Sequence, residues 1–221
     1  MRQIIGSPAE LGREIAKQLG AAVEKNPKAA FAFAAVDVPR VVYAAIAESG
    51  VDFSGCTAFN ACEYDGAAKQ LDALKEELFD KTPFAAVQTP TEGEDYDAAI
   101  RAAGGLELVV LGLGERGHVA FCEPGVDFGS ATYHSKLAEV TRKNAAEEFG
   151  GLENVPTHGL TIGMGTILSA KRVLLVACGE DKANAVQKTL TGRPETFIPA
   201  SFLQLHTDVE VYLDEAAASK L

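Results

Sequence analysis

Short apolar runs alternate along the chain with stretches whose apolar positions fall at helical spacing. The first helical stretch opens at Ser7-Pro8-Ala9-Glu10, where serine can cap, proline fits the first turn and Glu10 stands where a capping box needs an acid. A helix is expected from there towards Lys25. Residues 29–36 read as a strand, Asp37 and Pro39 break it, and Val41, Val42, Ala45 and Ile46 resume helical spacing. The alternation recurs at 57–61 before a helix over 67–78, at 98–103 before a strand from Leu106, and at 173–177 before a helix from about Lys182. Strands alternating with helices imply right-handed βαβ units, and hence an α/β, Rossmann-like, mostly parallel sheet with helices on both faces. No linker, low-complexity segment or fixed-period repeat interrupts residues 1–221, so a single domain is expected.

One segment carries most of the candidate chemistry. From Leu106 to Leu111 both faces of the strand are apolar, as in the middle of a parallel sheet, and the chain then enters Gly112-Leu113-Gly114-Glu115-Arg116-Gly117-His118-Val119-Ala120-Phe121-Cys122-Glu123-Pro124-Gly125. The C-terminal ends of parallel strands are where ligands bind, and Gly112, Gly114 and Gly117 permit close backbone approach, so His118 and Glu123 can face a crevice. Composition narrows the partners. A net charge of −11 argues against a nucleic-acid or anionic-membrane surface, and no basic run offsets it. The N-terminus has neither the apolar stretch nor the cleavage site of a secretory signal and no segment suits a bilayer span, so a cytoplasmic location is expected. The four cysteines, Cys56, Cys62, Cys122 and Cys178, lack metal-finger or redox-pair spacing and read as reduced thiols.

The glycine loop resembles that of the glucosamine-6-phosphate deaminase (isomerase) family, which reads Gly-Glu-Asp-Gly-His-Ile-Ala-Phe-Asn-Glu-Pro-Gly. Phe59-Asn60-Ala61-Cys62-Glu63-Tyr64 is similar to the family's Phe-Asn-Met-Asp-Glu-Tyr. Residues 161–170, Thr-Ile-Gly-Met-Gly-Thr-Ile-Leu-Ser-Ala, resemble its Thr-Val-Gly-Val-Gly-Thr-Leu-Leu, and residues 201–206, Ser-Phe-Leu-Gln-Leu-His, its Ser-x-Leu-Gln-Leu-His. Several matches in order are more specific than one glycine motif. The resemblance implies the sugar-phosphate isomerase/CoA-transferase-like fold shared with 6-phosphogluconolactonases. It implies a sugar or sugar phosphate as the small-molecule partner, no cofactor and no metal, and leaves a homo-oligomer open. The implied reaction is aldose-to-ketose isomerisation with loss of ammonia.

That chemistry needs ring opening, proton transfer between neighbouring carbons and a grip on an anionic end. His118 and Glu123 match the ring-opening pair, and imidazole passes protons near neutral pH. Arg116 replaces the aspartate two positions before the histidine. Cys62 replaces the carbon-proton acceptor, with Glu63 or Asp65 as candidate substitutes; a thiol serves as a base only where the thiolate is favoured. Ala35-Val36-Asp37-Val38-Pro39 stands where the family has Thr-Gly-Gly-Thr-Pro, so Asp37 brings an anion to an anion-binding turn. The family's phosphate-binding arginine aligns with Glu147, and Lys182 keeps its cation. The candidate site is therefore His118, Glu123, Cys62 and Glu63 for catalysis, with Lys182, Arg116, Asp37, Gly114 and Gly117 for binding.

Simpler readings stand beside these. Asp37 can be a helix cap, Lys182 a helix-surface lysine, His206 a packed structural histidine, and Cys56 and Cys178 small buried hydrophobes. Cys62, Cys122 and His118 together would be a ligand set that zinc accepts, although the spacing is no metal signature. Three functions are consistent with the residues: an amino-sugar-phosphate isomerase/deaminase with altered catalytic and phosphate-binding positions, a catalytically silent sugar-binding or regulatory relative, and a lactonase-type hydrolase.

Overall fold

A computed structural model describes residues 1–221. The chain runs β1 (Arg2–Ile5), α1 (Pro8–Lys25), β2 (Ala30–Phe33), α2 (Arg40–Ala47), β3 (Thr57–Asn60), β4 (Cys62–Tyr64), α3 (Lys69–Leu74), β5 (Ala86–Gln88), α4 (Tyr96–Ala102) and β6 (Leu106–Gly112). It continues with β7 (Tyr133–Lys136), α5 (Glu139–Ala145), β8 (His158–Thr161), α6 (Met164–Leu168), β9 (Val173–Ala177), α7 (Ala183–Thr191) and β10 (Val209–Leu213). Seven strands form one parallel sheet in the order β1-β10-β9-β6-β2-β3-β5.

The pleat of the central strands distributes apolar side chains between two layers. Phe31 and Phe33 of β2, Leu108 and Val110 of β6, and Leu174 and Val176 of β9 pack on one face with Leu11, Ile15 and Leu19 of α1. Ala30, Ala32, Val109, Leu111, Val173 and Leu175 pack on the other, in the larger of the two cores. Both faces of β6 are therefore dry, which is why its sequence is apolar without alternation. Ser7 and Glu10 cap α1 as read from the sequence: the Ser7 backbone N–H donates to Glu10 Oε2 at 2.9 Å.

Two features depart from the sequence reading. The helix expected over 67–78 is α3 followed by a wider π-type turn at Lys75–Phe79, closed by Asp80 N–H donating to Lys75 O at 3.0 Å. The turn lets the consecutive residues Leu78 and Phe79 both enter the aromatic layer beneath β2, where Phe79 meets Phe33 edge-on. The second is a small antiparallel sheet in the order β4-β8-β7. The strand expected over 57–61 ends there and a second strand follows at once: the chain leaves the main sheet at Ala61, whose N–H donates to Phe33 O while its carbonyl accepts from Ile162 N–H. No helix is long and apolar enough to cross a membrane.

Candidate active site

Two loops meet at the C-terminal ends of β2 and β6. The loop after β2 carries Asp37 at φ 60°, a left-handed conformation that few non-glycine residues adopt. It crosses directly over Gly112, where a Cβ would lie 2.3 Å from the Asp37 carbonyl carbon. The loop after β6 turns back on itself through Gly117 N–H to Gly114 O at 2.8 Å and Gly114 N–H to His118 O at 2.9 Å. The imidazole of His118 then lies against the bare face of Gly114: a Cβ there would stand 1.9 Å from His118 Cε1. Gly114 provides space for the ring, and Gly117, at φ 77°, provides the turn.

At this junction His118 Nε2 lies 2.9 Å from Asp37 Oδ2, and Lys182 Nζ donates to Asp37 Oδ1 at 2.6 Å. Lys182 belongs to the one-turn 3₁₀ segment Glu180–Lys182 that follows β9. The three side chains are only 4%, 13% and 10% exposed for His118, Asp37 and Lys182. Burial alone would raise the Asp37 carboxyl, but the hydrogen bonds and positive charges of His118 and Lys182 outweigh it and hold the group well below the ordinary carboxylate range. Burial likewise opposes protonation of His118, yet the bond to Asp37, its charge and that of Glu123 together raise the imidazole above its usual value, with Lys182 opposing. An ionised carboxylate only accepts, so the proton on Nε2 faces Asp37 and neutral His118 leaves Nδ1 bare.

That Nδ1 is buried and has no partner. Glu123 stands nearby in the charge network of His118. Its Oε1 accepts from Ala138 N–H at 3.0 Å and from the Thr141 hydroxyl at 2.6 Å, and its buried Oε2 has no partner. A cavity of about 290 Å³ opens beside His118, with Asp37, Tyr64, Gln70, Thr141 and Glu148 among its walls. Gln70 is buried, and its side-chain carbonyl also lacks a partner. The arrangement offers a ligand an imidazole nitrogen of raised basicity and an amide oxygen, both in places from which bulk water is largely excluded.

The structure gathers His118, Glu123, Asp37 and Lys182 and separates the other candidates. Asp37 does not cap α2, whose N-cap is Pro39 without a side-chain cap; its carboxylate turns inward instead. Lys182 is buried behind Asp37 and is not a helix-surface lysine. Arg116, at the tip of the glycine turn, is exposed and outside the cavity wall. Glu63 is anchored: its carboxylate accepts from the backbone N–H groups of Tyr64, Gln70 and Leu71, the last two at the start of α3. Cys62 is fully buried and not on the cavity wall, and burial followed by the charge of Glu63 pushes its thiol well above the ordinary range. Cys122 is equally buried, pushed up to about 12, and donates to Ile162 O. No three histidine, cysteine, aspartate or glutamate side chains converge as a metal site, so the zinc set of Cys62, Cys122 and His118 is not assembled. His206 is structural, its Nε2 bonded to Ala170 O at 2.7 Å. Tyr64 closes the Phe59–Tyr64 motif but is not among the site residues expected from the sequence, and nothing local distinguishes Gln70 and Thr141 from other half-polar positions.

The thiols give a direct check on this placement. Only Cys178 has partial exposure, and burial pushes it up to about 11. A thiol reagent at pH 8 should therefore titrate at most one cysteine of the native protein, slowly, and all four in denaturant. Rapid modification of Cys62 or Cys122 would contradict their burial.

Residues 7–212 match the family described as glucosamine-6-phosphate isomerases/6-phosphogluconolactonase. The chain belongs to this family. It is 39% identical over 209 residues to a glucosamine-6-phosphate deaminase of Latilactobacillus sakei, covering 89% of this chain and 88% of the relative. It is 37% identical over 236 residues to one of Pseudarthrobacter chlorophenolicus, covering 99% and 91%. Among solved structures, a monomeric glucosamine-6-phosphate deaminase superposes with a TM-score of 0.93 at 30% identity over 100% of both chains. A 6-phosphogluconolactonase from Trypanosoma brucei gives 0.75 at 17% identity, over 100% of this chain and 98% of the other, a likeness of fold alone. The family's α/β fold, inferred from the ordered motifs, is thus the fold observed.

Proposed function

We propose that this chain is an isomerase/deaminase-type enzyme acting on an amino sugar of the hexosamine class, the class to which the glucosamine 6-phosphate of its named relatives belongs. The observation that carries the proposal is the buried His118 on the cavity wall, held through Nε2 by Asp37 and left with an unpartnered Nδ1. In ring opening, Nδ1 takes the proton of the anomeric hydroxyl and returns a proton to the ring oxygen as the bond from that oxygen to the anomeric carbon breaks. Asp37 stabilises the transient imidazolium and fixes the ring, and the free oxygen of Glu123 adds negative charge on the same side.

The carbon-to-carbon proton transfer differs from the family pattern. The position of the family's aspartate is held by Cys62, whose buried thiol stays protonated, and Glu63 is bound to three backbone amides. Ring opening is therefore expected to outpace ammonia release. Incubation with glucosamine and with glucosamine 6-phosphate, following ring opening by anomer exchange and deamination by ammonia, tests the proposal. His118→Ala is expected to lower the ring-opening rate by about 10²- to 10⁴-fold. Anomer exchange indifferent to His118 would refute the proposed role. Binding without either reaction would identify the silent sugar-binding relative instead.

A further inference from the structure

The cavity's charges are arranged against a strongly anionic ligand. Of the groups that could meet an anion, His118 lies on the wall and Lys182 behind Asp37, and both already bond the Asp37 carboxylate. Lys182 also has Asp181 at 3.6 Å. The remaining cation on the wall, Arg40, lies 3.3 Å from both Glu76 and Glu77, and Glu77 is itself a wall residue. Glu148, also on the wall, makes no ion pair. A phosphate ester would bring nearly two negative charges into this setting with every cation already engaged. The polar atoms left without a partner are of another kind: His118 Nδ1 and the Gln70 carbonyl oxygen, both buried in residues that line the cavity. The amide oxygen can only accept, so it matches a hydroxyl or ammonium donor, and the imidazole nitrogen pairs with a hydroxyl.

We propose that Asp37 is a tethered counter-anion occupying the place of a ligand phosphate, and that the cavity takes an unphosphorylated amino sugar whose hydroxyl and ammonium donors meet Gln70 and His118. The inference rests on the sugar-site reading above and narrows it to a substrate class. Asp37 is then the specificity-determining residue. Its left-handed backbone over Gly112 carries the carboxylate inward, between imidazole and ammonium. An anionic sugar must displace it to reach either cation.

Calorimetric titration of the intact chain with glucosamine, glucosamine 6-phosphate and inorganic phosphate, at fixed salt and neutral pH, tests the proposal. Glucosamine is expected to bind at least tenfold more tightly than its 6-phosphate, with inorganic phosphate not binding. Asp37→Asn should reverse or erase that preference by freeing Lys182, and Gln70→Leu should weaken glucosamine at least tenfold without restoring phosphate binding. Tighter binding of the 6-phosphate by the wild-type chain would overturn the inference and leave the sugar-site reading standing. Binding of neither sugar would overturn both. Where Asp37→Asn fails to fold, the wild-type ranking and Gln70→Leu decide.

Discussion

Replacing Asp37 with alanine is expected to lower the unfolding free energy by about 3–5 kcal/mol near pH 6, because Lys182 and His118 would be left buried without their shared carboxylate. An exposed ion pair of the same length would cost only about 0–1 kcal/mol, so the size of the loss tests burial directly. Its pH dependence follows from the two shifted groups. The folded-state carboxyl of Asp37 lies below its ordinary value of 3.8, so its contribution is complete above that value and disappears as the pH falls through the folded pKa. The folded-state imidazole lies above its ordinary value of 6.5, so its contribution is complete below that value and disappears as the pH rises through the folded pKa. Denaturant melts of wild type and Asp37→Ala should therefore differ most between about pH 4 and 6.5 and converge in acid. In alkali the difference falls by the His118 share. A difference that stayed flat from pH 3 to 9 would contradict the assignment of the stabilisation to these ionisations.

The second large effect is expected from the smallest change. In Gly114→Ala the added methyl would stand 1.9 Å from His118 Cε1, a distance no contact tolerates, so the imidazole must leave its position and lose Asp37. A displacement of about 1 Å at a reacting group costs on the order of 10² in rate, so ring opening should fall by at least that factor while the protein loses only about 1–3 kcal/mol. Gly50→Ala is the control. It has open space around the same methyl, and its φ of 76° makes it a purely backbone cost of about 1 kcal/mol with activity retained. Equal loss of activity in both variants would mean that Gly114 acts through general stability and not through the ring.

These outcomes also mark where the sequence was legible. Strand β6 and helix α1 are readable because their signals are local: an unbroken apolar run, and a Ser-Pro-x-Glu start followed by apolar residues at helical spacing. The glycine loop is readable because a turn that must fold over its own histidine needs residues without side chains. Asp37 is not readable in this way. Two residues before proline it looks like a cap, and its true partners stand 81 and 145 residues away, brought together only by the strand order of the sheet. Glu63 misleads for the opposite reason: an acid in a suggestive motif is satisfied by nearby backbone amides that no pattern of side chains reveals. Gln70 is silent because nothing in the expected helix sets its side chain apart; only the fold puts it on one cavity with the loops after β2 and β6. The strands of the small sheet escape because pieces of three or four residues carry too little alternation to register.

The central claim is that a buried imidazole, basic through Asp37 and open at Nδ1, is the group that meets the sugar. The most direct measurement is a pH titration of the His118 ring nitrogens by NMR on ¹⁵N-histidine-labelled protein, with and without saturating glucosamine. The account predicts a free-protein midpoint above the ordinary 6.5, the proton of the neutral form on Nε2, and a change at Nδ1 when the sugar binds. An ordinary midpoint that the sugar leaves unmoved, with Nδ1 carrying the proton, would contradict it.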